Sequence, residues 1–474
     1  MSASPPTAYD EHTALTFRAI DLAWSALHGD PQRLRNLQLI AAPRSLHSIY
    51  EVSAFACACI SVASLAVAEW LDGADNVRLD ARHAALAFQS ERWLAPIGWE
   101  LPPVWDPLAG DYPTQDGFVK LHTNYAHHRA AALRALGAAP SREAIARVLA
   151  GVPSEAAEQA VIAAGGCAAA LRSESDWAGH AAGSAVLSEP LIGWTQHAAS
   201  VRPGQGQPTA NRPLAGLRVL DLTRVIAGPV ATRFLAGYGA EVLRIDPPGF
   251  QEVPLLVAEV TQGKRCTALD LRESADRARF DDLLREADVL VCGLRRDALD
   301  QLGYSLAMLH ARNPALIVAR LNAYGWSGPW STRRGFDSLV QMSCGIAERG
   351  MRSAGSSQPV PLPAQALDHG TGYLLAAAIV RALCNRRRFG HASELRLSLA
   401  RSAGFLRALG VNAASRGEAL TEQERNPFME RADTLFGPVW RVRAAGTVGP
   451  AAPGFSTPAG PLGSAEPAWP PRND

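Results

Sequence analysis

Apolar and polar residues alternate along the second half of the chain in blocks typical of strand, helix and strand. Residues 217–222 form a short, mostly apolar run, 227–235 carry apolar positions at helical spacing, and 241–245 return to a strand-like run. The alternation continues through strand candidates at 267–271, 289–293 and 316–321, with helix candidates at 275–286 and 305–312. This order predicts a parallel sheet with helices on both faces.

The first half of the chain has a different pattern. Helices are predicted over 13–27, 54–70 and 81–88, with a short strand at 76–79. A strand at 117–122 is followed by helices at 126–136, 142–150 and 154–164, which predicts a small α+β module. The predicted organisation is a helical segment (1–92), a small α+β domain (93–200), a Pro/Gly/Gln linker (201–213), a large domain (214–440) and a Pro/Gly-rich tail (441–474).

A short internal similarity links the two halves. Val77-Arg78-Leu79 follows an apolar helix and precedes an alanine-rich one, and Leu395-Arg396-Leu397 has the same neighbours. A chance match and a partial repeat both explain this similarity. If it is a repeat, residues 1–92 are a partial, degenerate copy of the later unit.

Charge and composition exclude little. The 474 residues include 46 Lys and Arg against 45 Asp and Glu, so there is no overall electrostatic bias toward nucleic acid or an acidic membrane. The seven cysteines form no C-x-x-C pair, the N-terminus shows no secretory pattern, and the apolar run at 55–67 is too short to span a bilayer. We therefore expect a cytoplasmic protein with buried reduced thiols and no nucleic-acid or membrane partner. We also expect no metal site, because His122, His127 and His128 lack companion ligands at suitable spacing.

Two places in the sequence suggest chemistry. The turn before Pro229 opens a helix directly after a strand, and a helix N-terminus can receive a phosphate or a pantetheine chain. This turn lacks G-x-G-x-x-G, which disfavours NAD and leaves Asp246 a weak candidate for a ribose ligand. Later, Asp368 stands between an extended apolar segment and the start of an apolar helix. It could cap that helix, carry chemistry, or do both.

A resemblance to a known family adds to this picture. It rests on six consecutive segments, which in chain order are PLAGLRVLDLTRVIAGPVATRFLAGYGAEVLRIDPPG, GKRCTALDL, ADVLVCGLRRDALDQLG, NPALIVARLNAYGWSGP, RRGFDSLVQ and the segment around Asp368. Together, from 213 to about 406, they resemble the class III CoA-transferases (the CaiB/BaiF family). WDPLAGDYPTQDGFVKLHTNY and AAGGCAAAL are similar to the small domain of that family, which normally follows the large one. The resemblance implies an α/β fold: a Rossmann-like parallel sheet in the large domain, with an N-terminal helical and α+β small domain.

The resemblance also implies a reaction and its residues. Asp368 matches the family's nucleophile, which moves CoA from an acyl-CoA to a small carboxylic acid through aspartyl anhydride and aspartyl-CoA intermediates, without a metal. Backbone N–H groups after His369 or Gly370 could stabilise the oxyanion. The CoA-binding residues implied are Val225, Ile226 and Ala227 along the adenine or pantetheine, and Lys264, Arg265, Arg295 and Arg334 near the phosphates. For these basic residues, a solvated basic face is the alternative interpretation.

The sequence is compatible with several alternatives. The racemase branch of the family uses a His next to an Asp, whereas the aligned pair here is Phe336-Asp337, which disfavours proton transfer. Gly293 and Arg296 replace the usual Asn and Pro of one CoA segment. An acyl-CoA isomerase or racemase and a non-catalytic acyl-CoA-binding homologue are the competing hypotheses. Family members form homodimers, and the small domain could close over Asp368 in its own chain or in a partner.

Overall fold

The computed structural model describes residues 11–41, 43–72, 76–198, 208–412 and 416–471. Its N-terminal part is helical around one short pair of parallel strands. The elements are α1 (Glu11–Ala26), a 3₁₀ turn (Pro31–Asn36), β1 (Leu37–Ile40), α2 (Val52–Trp70), β2 (Val77–Asp80), α3 (Ala81–Ala87), α4 (Ser90–Trp93) and β3 (Ala95–Pro96). The predicted helices at 13–27, 54–70 and 81–88 are all present.

The small α+β module follows. Its elements are β4 (Gly110–Pro113), β5 (Phe118–Leu121), α5 (Ala126–Leu136), α6 (Arg142–Leu149), α7 (Ser154–Ala163), β6 (Ala168–Ala170), α8 (Glu174–Gly179) and α9 (Ala181–Leu187). The three strands form an antiparallel sheet with β5 in the middle. Apolar side chains of α5, α6 and α7 pack on one face of that sheet and give the module its own core.

The large domain contains the main sheet. Its elements are β7 (Gly193–Ala198), β8 (Arg218–Leu222), α10 (Ala227–Gly237), β9 (Glu241–Asp246), α11 (Pro254–Val260), β10 (Lys264–Ala268), α12 (Ser274–Glu286), β11 (Val289–Cys292), α13 (Ala298–Gln301), α14 (Leu306–Arg312), β12 (Ile317–Asn322), α15 (Asp337–Ser343), α16 (Ile346–Ala354), α17 (Ala366–Phe389), β13 (His391–Ser398) and α18 (Leu399–Ala408). The sheet order is β10-β9-β8-β11-β12-β13-β7, parallel except for β7 at one edge. The predicted α/β class and parallel sheet are confirmed.

This order contains one topological switch point. The chain runs from β8 outward to β9 and β10, then returns to β11 beside β8 and continues the other way. In open α/β sheets, ligands bind at such a point, beyond the carboxyl ends of the strands. The loops that follow β8 and β11 are therefore the expected place for a ligand.

The strand expected at 267–271 lies earlier, at β10. Its first residue, Lys264, is a charged residue that an apolar pattern does not assign to a buried strand. Lys264 is nevertheless buried, and its ammonium group pairs with Asp221 at 3.0 Å, which compensates the buried charge. The apolar pattern therefore placed the strand about three residues too late.

The C-terminal segment returns to the N-terminal half. It comprises α19 (Glu422–Arg425), a 3₁₀ turn (Asn426–Phe428), β14 (Met429–Thr434), β15 (Gly437–Val442) and β16 (Thr447–Val448). β15 pairs with β3, and β16 pairs antiparallel with β2. Further on, Trp469 packs under Arg218, so this part of the Pro/Gly-rich tail lies against the body of the protein. Residues 201–207 of the predicted linker fall outside the described residues.

Helices α2 and α17 pack together at the centre of the molecule. Phe55 of α2 contacts the first turns of α17, and Glu69 near the end of α2 pairs with Arg381 and Arg388 of α17. The two helices therefore run in the same direction. Of the described helices, α2 is the one long and apolar enough to cross a membrane, and it is entirely buried inside the protein. The helix predicted over 54–70 is confirmed, and it is longer than the apolar run at 55–67.

The similarity between the two halves extends to the structure. α2, β2 and α3 follow one another as α17, β13 and α18 do. β2 pairs parallel with β1 and antiparallel with β16, while β13 pairs parallel with β12 and antiparallel with β7. The two parts therefore share the order of their elements and the pairing of their strands, and the partial repeat stays a prediction.

Candidate active site

Asp368 is the third residue of α17, and a second aspartate holds the start of that helix. Asp337, the first residue of α15, accepts the backbone N–H groups of Leu367 and Asp368 through Oδ2, at 2.8 and 2.9 Å. The first N–H groups of an α-helix have no partner inside the helix, so an external carboxylate satisfies them. Asp337 thereby fixes the position of the Asp368 backbone.

Gln341 ties this cap to the segment before the helix. Its side-chain amide donates to Asp337, and its Oε1 accepts the backbone N–H of Leu362 at 2.7 Å. Both side chains are buried. One hydrogen-bonded network therefore orients the apolar segment, the helix start and the candidate nucleophile together.

Small residues next to Asp368 have a structural role. A methyl group added at Gly370 would lie 2.2 Å from the ring of Phe55, and one at Gly372 would lie 2.5 Å from the carbonyl oxygen of Ala227. These glycines therefore let α2 and α10 approach the first turns of α17 closely. The open space for a substrate lies on the side of α17 that faces the cavity described below.

The environment of Asp368 favours its neutral form in the absence of a ligand. Burial raises the pKa of its carboxyl group well above the ordinary value, and the nearby Asp337 and Glu91 carboxylates raise it further. Burial also raises the pKa of Asp337 to about 6, although Gln341 and the two N–H groups act in the opposite direction. Because Asp337 has these donors, we take it to be the more acidic of the two.

Asp368 borders a cavity of about 340 Å³ at the switch point of the sheet. Val225 and Ala227 follow β8, Gly293 to Arg295 follow β11, and Asn322 ends β12. The small module closes the other side with Tyr125, His127 and His128 of its first helix and the preceding turn. The cavity thus lies between the two domains of one chain.

Four arginines line this cavity. Arg295 and Arg334 are exposed at its mouth, and Arg224 lies 4.0 Å above the ring of Phe250. The fourth, Arg333, is bound to Glu158 of the small module at 2.7 Å. A cavity with this charge suits an anionic ligand such as a phosphorylated nucleotide.

Three of the residues implied for CoA binding lie away from the cavity. Ile226 is a buried residue that caps α10. Burial lowers the pKa of Lys264 to about 8, and its ammonium group donates to Asp221 and to the carbonyl oxygen of Pro229. Arg265 donates to the carbonyl oxygens of Glu466 and Ala468 in the tail. Val225, Ala227, Arg295, Arg334 and Asp368 are the implied residues that the structure brings together.

Residues of the small module that reach the site were not selected from the sequence. Phe336 stacks on His122 with ring centroids 3.6 Å apart, and His128 and Tyr125 pack around the same ring. Burial lowers the pKa of His128 to about 4, so this ring is neutral at pH 7. Arg224 was also missed, although its position in the loop after β8, beside the switch point of the sheet, is a signal that the switch-point rule would have used.

The residues that follow Asp368 in the sequence make contacts outside the cavity. His369 Nε2 is 2.9 Å from Glu91 of α4, and its ring stacks on Phe88. Its backbone N–H donates to the carbonyl oxygen of Gln365, and that of Gly370 lies inside the regular hydrogen bonding of α17. The N–H groups suggested above as oxyanion donors are those of Gly370 and Thr371, and both lie within α17, where regular hydrogen bonding uses them.

Within the described residues, no group of three or more His, Cys, Asp or Glu side chains could hold a metal ion. All seven cysteines are buried and none is in a disulfide.

The fold and site define an α/β protein that presents a helix-terminal carboxylate to a cationic cavity at the switch point of a parallel sheet. Residues 214–434 match the family model described as CoA-transferase family III. This match agrees with the resemblance that the sequence motifs indicated over the same part of the chain.

Curated relatives are similar over the same part of the chain. Identity is 33% over 216 residues to the acetyl-coenzyme A transferase nodX of Hypoxylon pulicicidum, covering 45% of this chain and 35% of the relative. It is 33% over 207 residues to the probable fatty acyl-CoA transferase Rv3272 of Mycobacterium tuberculosis, covering 40% and 52%. A crystal structure of Rv3272 is 32% identical, with a TM-score of 0.38 over 42% of this chain and 58% of that one. The chain thus spans between 35% and 58% of the length of these proteins.

Proposed function

We propose that this protein transfers CoA between an acyl-CoA thioester and a carboxylic acid, with Asp368 as the nucleophile. The observation that carries the proposal is a single buried carboxylate at a helix N-terminus, bordering a cavity lined by arginines. The family match of residues 214–434 and the names of the similar proteins support the same reaction class. Coenzyme A is common to the acyl-CoA donor and the acyl-CoA product, and the chemistry requires no metal.

The reaction proceeds through two covalent forms of Asp368. The carboxylate attacks the thioester carbonyl, CoA thiolate leaves, and a mixed anhydride forms. The thiolate then attacks the aspartyl carbonyl, which releases the first acid and leaves an aspartyl-CoA thioester. A second carboxylate repeats these steps in reverse and departs as the new acyl-CoA.

The arginines of the cavity and the first N–H groups of α10 could each contribute to the reaction. Arg295 and Arg334 would bind the phosphates of CoA, and Arg224 would provide a third positive charge. The N–H groups of Ala227 and Gly228, in the first turn of α10, have no partner inside that helix and are our candidates for stabilising an oxyanion. A raised pKa makes Asp368 a stronger nucleophile once it is ionised.

The small module completes the site from the same chain. Tyr125, His127 and His128 border the cavity opposite Asp368, so we propose that closure occurs in cis. Homodimerisation and a cytoplasmic location stay predictions.

Covalent labelling tests the proposal directly. The protein is incubated with an acyl-CoA and quenched with hydroxylamine, which converts an activated aspartyl group into a hydroxamate. Trypsin then releases the peptide 353–381, in which Asp368 is the single carboxylate side chain. A mass increase on this peptide would therefore assign the label to one residue without fragmentation.

Two variants complete this experiment. Asp368→Asn should lose both the label and turnover while still binding acyl-CoA. Asp433→Asn is a matched control because that side chain is 87% exposed on β14. An unlabelled peptide with every donor that the protein binds would refute the proposal and favour a non-catalytic acyl-CoA-binding protein.

Proton exchange is the second candidate, because His127 and His128 line the same cavity as Asp368. It predicts deuterium incorporation at the α-carbon of an acyl-CoA in D₂O without an acceptor acid. Exchange that persists in Asp368→Asn and disappears in His128→Gln would establish an isomerase or racemase. The lowered pKa of His128 makes it a weak base and places this activity second.

A further inference from the structure

A larger recess adjoins the cavity that contains Asp368. Its volume is about 960 Å³, within the range of sites that hold sizeable organic ligands. Its walls come from the connector after β3, the loop before α11, α11 itself and the C-terminal segment. The apolar residues that line it include Trp99, Trp105, Phe250, Val257, Ala258 and Phe436.

The charge of this recess differs from that of the neighbouring cavity. No lysine or arginine is among the described residues that line it, whereas four arginines line the cavity beside Asp368. Three carboxylates line it: Asp106 accepts from Thr123 at 2.7 Å, Glu252 accepts from the hydroxyl of Tyr125 at 2.5 Å, and Glu100 is exposed to solvent. The recess therefore suits an uncharged apolar group and disfavours the phosphates of CoA.

The two spaces meet at Tyr125 and Phe250, which border both of them. The two rings stack loosely, with centroids 6.2 Å apart. A ligand whose reacting carbonyl lies at Asp368 has its phosphates on the arginine side. Its remaining substituent is then directed past these rings toward the recess.

We propose that the recess binds the hydrocarbon part of the acyl group, which makes medium-chain and longer fatty acyl thioesters the preferred donors. This inference rests on the proposed function, because it places the carbonyl at Asp368. Each methylene that enters the recess should increase affinity by up to about fourfold, the value expected for complete removal from water.

Binding measurements separate this inference from the proposed reaction. The Asp368→Asn variant prevents turnover, so dissociation constants can be measured by calorimetry for CoA, acetyl-CoA, hexanoyl-CoA and decanoyl-CoA below their micelle-forming concentrations. We expect affinity to rise with chain length by at least about tenfold from acetyl to decanoyl. Equal affinities along the series would overturn the recess assignment and leave the reaction standing. Failure to bind any CoA thioester would instead count against the proposed function.

Substitutions in the recess locate the binding group. Val257→Trp fills part of the space, and Trp105→Ala removes a wall that is 49% exposed. Both should reduce the decanoyl-to-acetyl affinity ratio by about threefold or more. Trp440→Ala is the matched control, since Trp440 is 48% exposed on β15 and is not among the residues lining the recess. The same ratio in all three variants, with unchanged circular dichroism, would show that the chain binds elsewhere and would overturn the assignment.

Discussion

Replacing the candidate nucleophile by its neutral isostere should stabilise the protein. Asp368 is buried near Asp337 and Glu91, and these surroundings disfavour its ionised form. Asp368→Asn keeps the shape of the side chain and removes the charge. We expect this variant to be inactive and, at neutral to alkaline pH, more stable than the parent protein.

The direction and size of the change in the free energy of unfolding follow from proton linkage. A carboxyl whose pKa is higher in the folded state binds more protons when folded than when unfolded. The free energy of unfolding therefore falls as pH rises from the ordinary value of 3.8 through the raised pKa. A tenfold change in acidity between the folded and unfolded states corresponds to about 1.4 kcal/mol. Raising the pKa of Asp337 from 3.8 to about 6 would alone correspond to about 3 kcal/mol, which gives the scale of the cost at this site.

Urea titrations of the parent protein and of Asp368→Asn between pH 4 and pH 8.5 measure the effect. The variant should exceed the parent by about 1.4 kcal/mol or more at pH 8, and the gap should shrink as pH falls toward 4. Asp433→Asn should stay within about 0.5 kcal/mol of the parent throughout, as expected for an exposed site. Equal stability at pH 8, or a gap that widens in acid, would refute this account of the site.

Three further predictions concern the Asp337 cap of α17, the arginines of the cavity, and the packing of α2 against α17. Asp337→Ala leaves the first N–H groups of α17 without an acceptor and should lower the free energy of unfolding in urea by about 1–3 kcal/mol. Arg334→Ala should raise the dissociation constant of CoA about threefold to tenfold in low-salt calorimetry, an effect that added salt reduces. Arg265→Ala should leave that constant unchanged, and an equal loss in both variants would contradict the assignment. Glu69→Ala leaves Arg381 buried without its partner and should cost about 3–5 kcal/mol, measured as a lower melting temperature.

The local pattern of apolar residues was sufficient to predict a helix or strand wherever one face of that element is buried. The helix predicted over 126–136 is α5 without any displacement, and the strand predicted at 289–293 is β11 with one residue fewer. Periodicity carries this information because burial selects apolar residues at a fixed spacing. It failed at the start of β10, where the buried side chain of Lys264 is compensated by Asp221 from another strand.

The sequence also indicated the candidate nucleophile, through the position of Asp368 before an apolar helix and through the family resemblance. It could not tell which basic residues share a space with it. Arg295 and Arg265 look alike in sequence, yet one lines the cavity and the other binds backbone carbonyl groups of the tail.

The amino-acid sequence by itself thus determined the α/β class and the order of the elements, because each depends on near neighbours in the chain, and it supplied Asp368 as a candidate nucleophile. Only the tertiary structure decided that Asp337 caps α17, that the small module borders the cavity of its own chain, and that an apolar recess lies beyond Tyr125. These features join side chains that are far apart in sequence, and their positions depend on how whole domains pack.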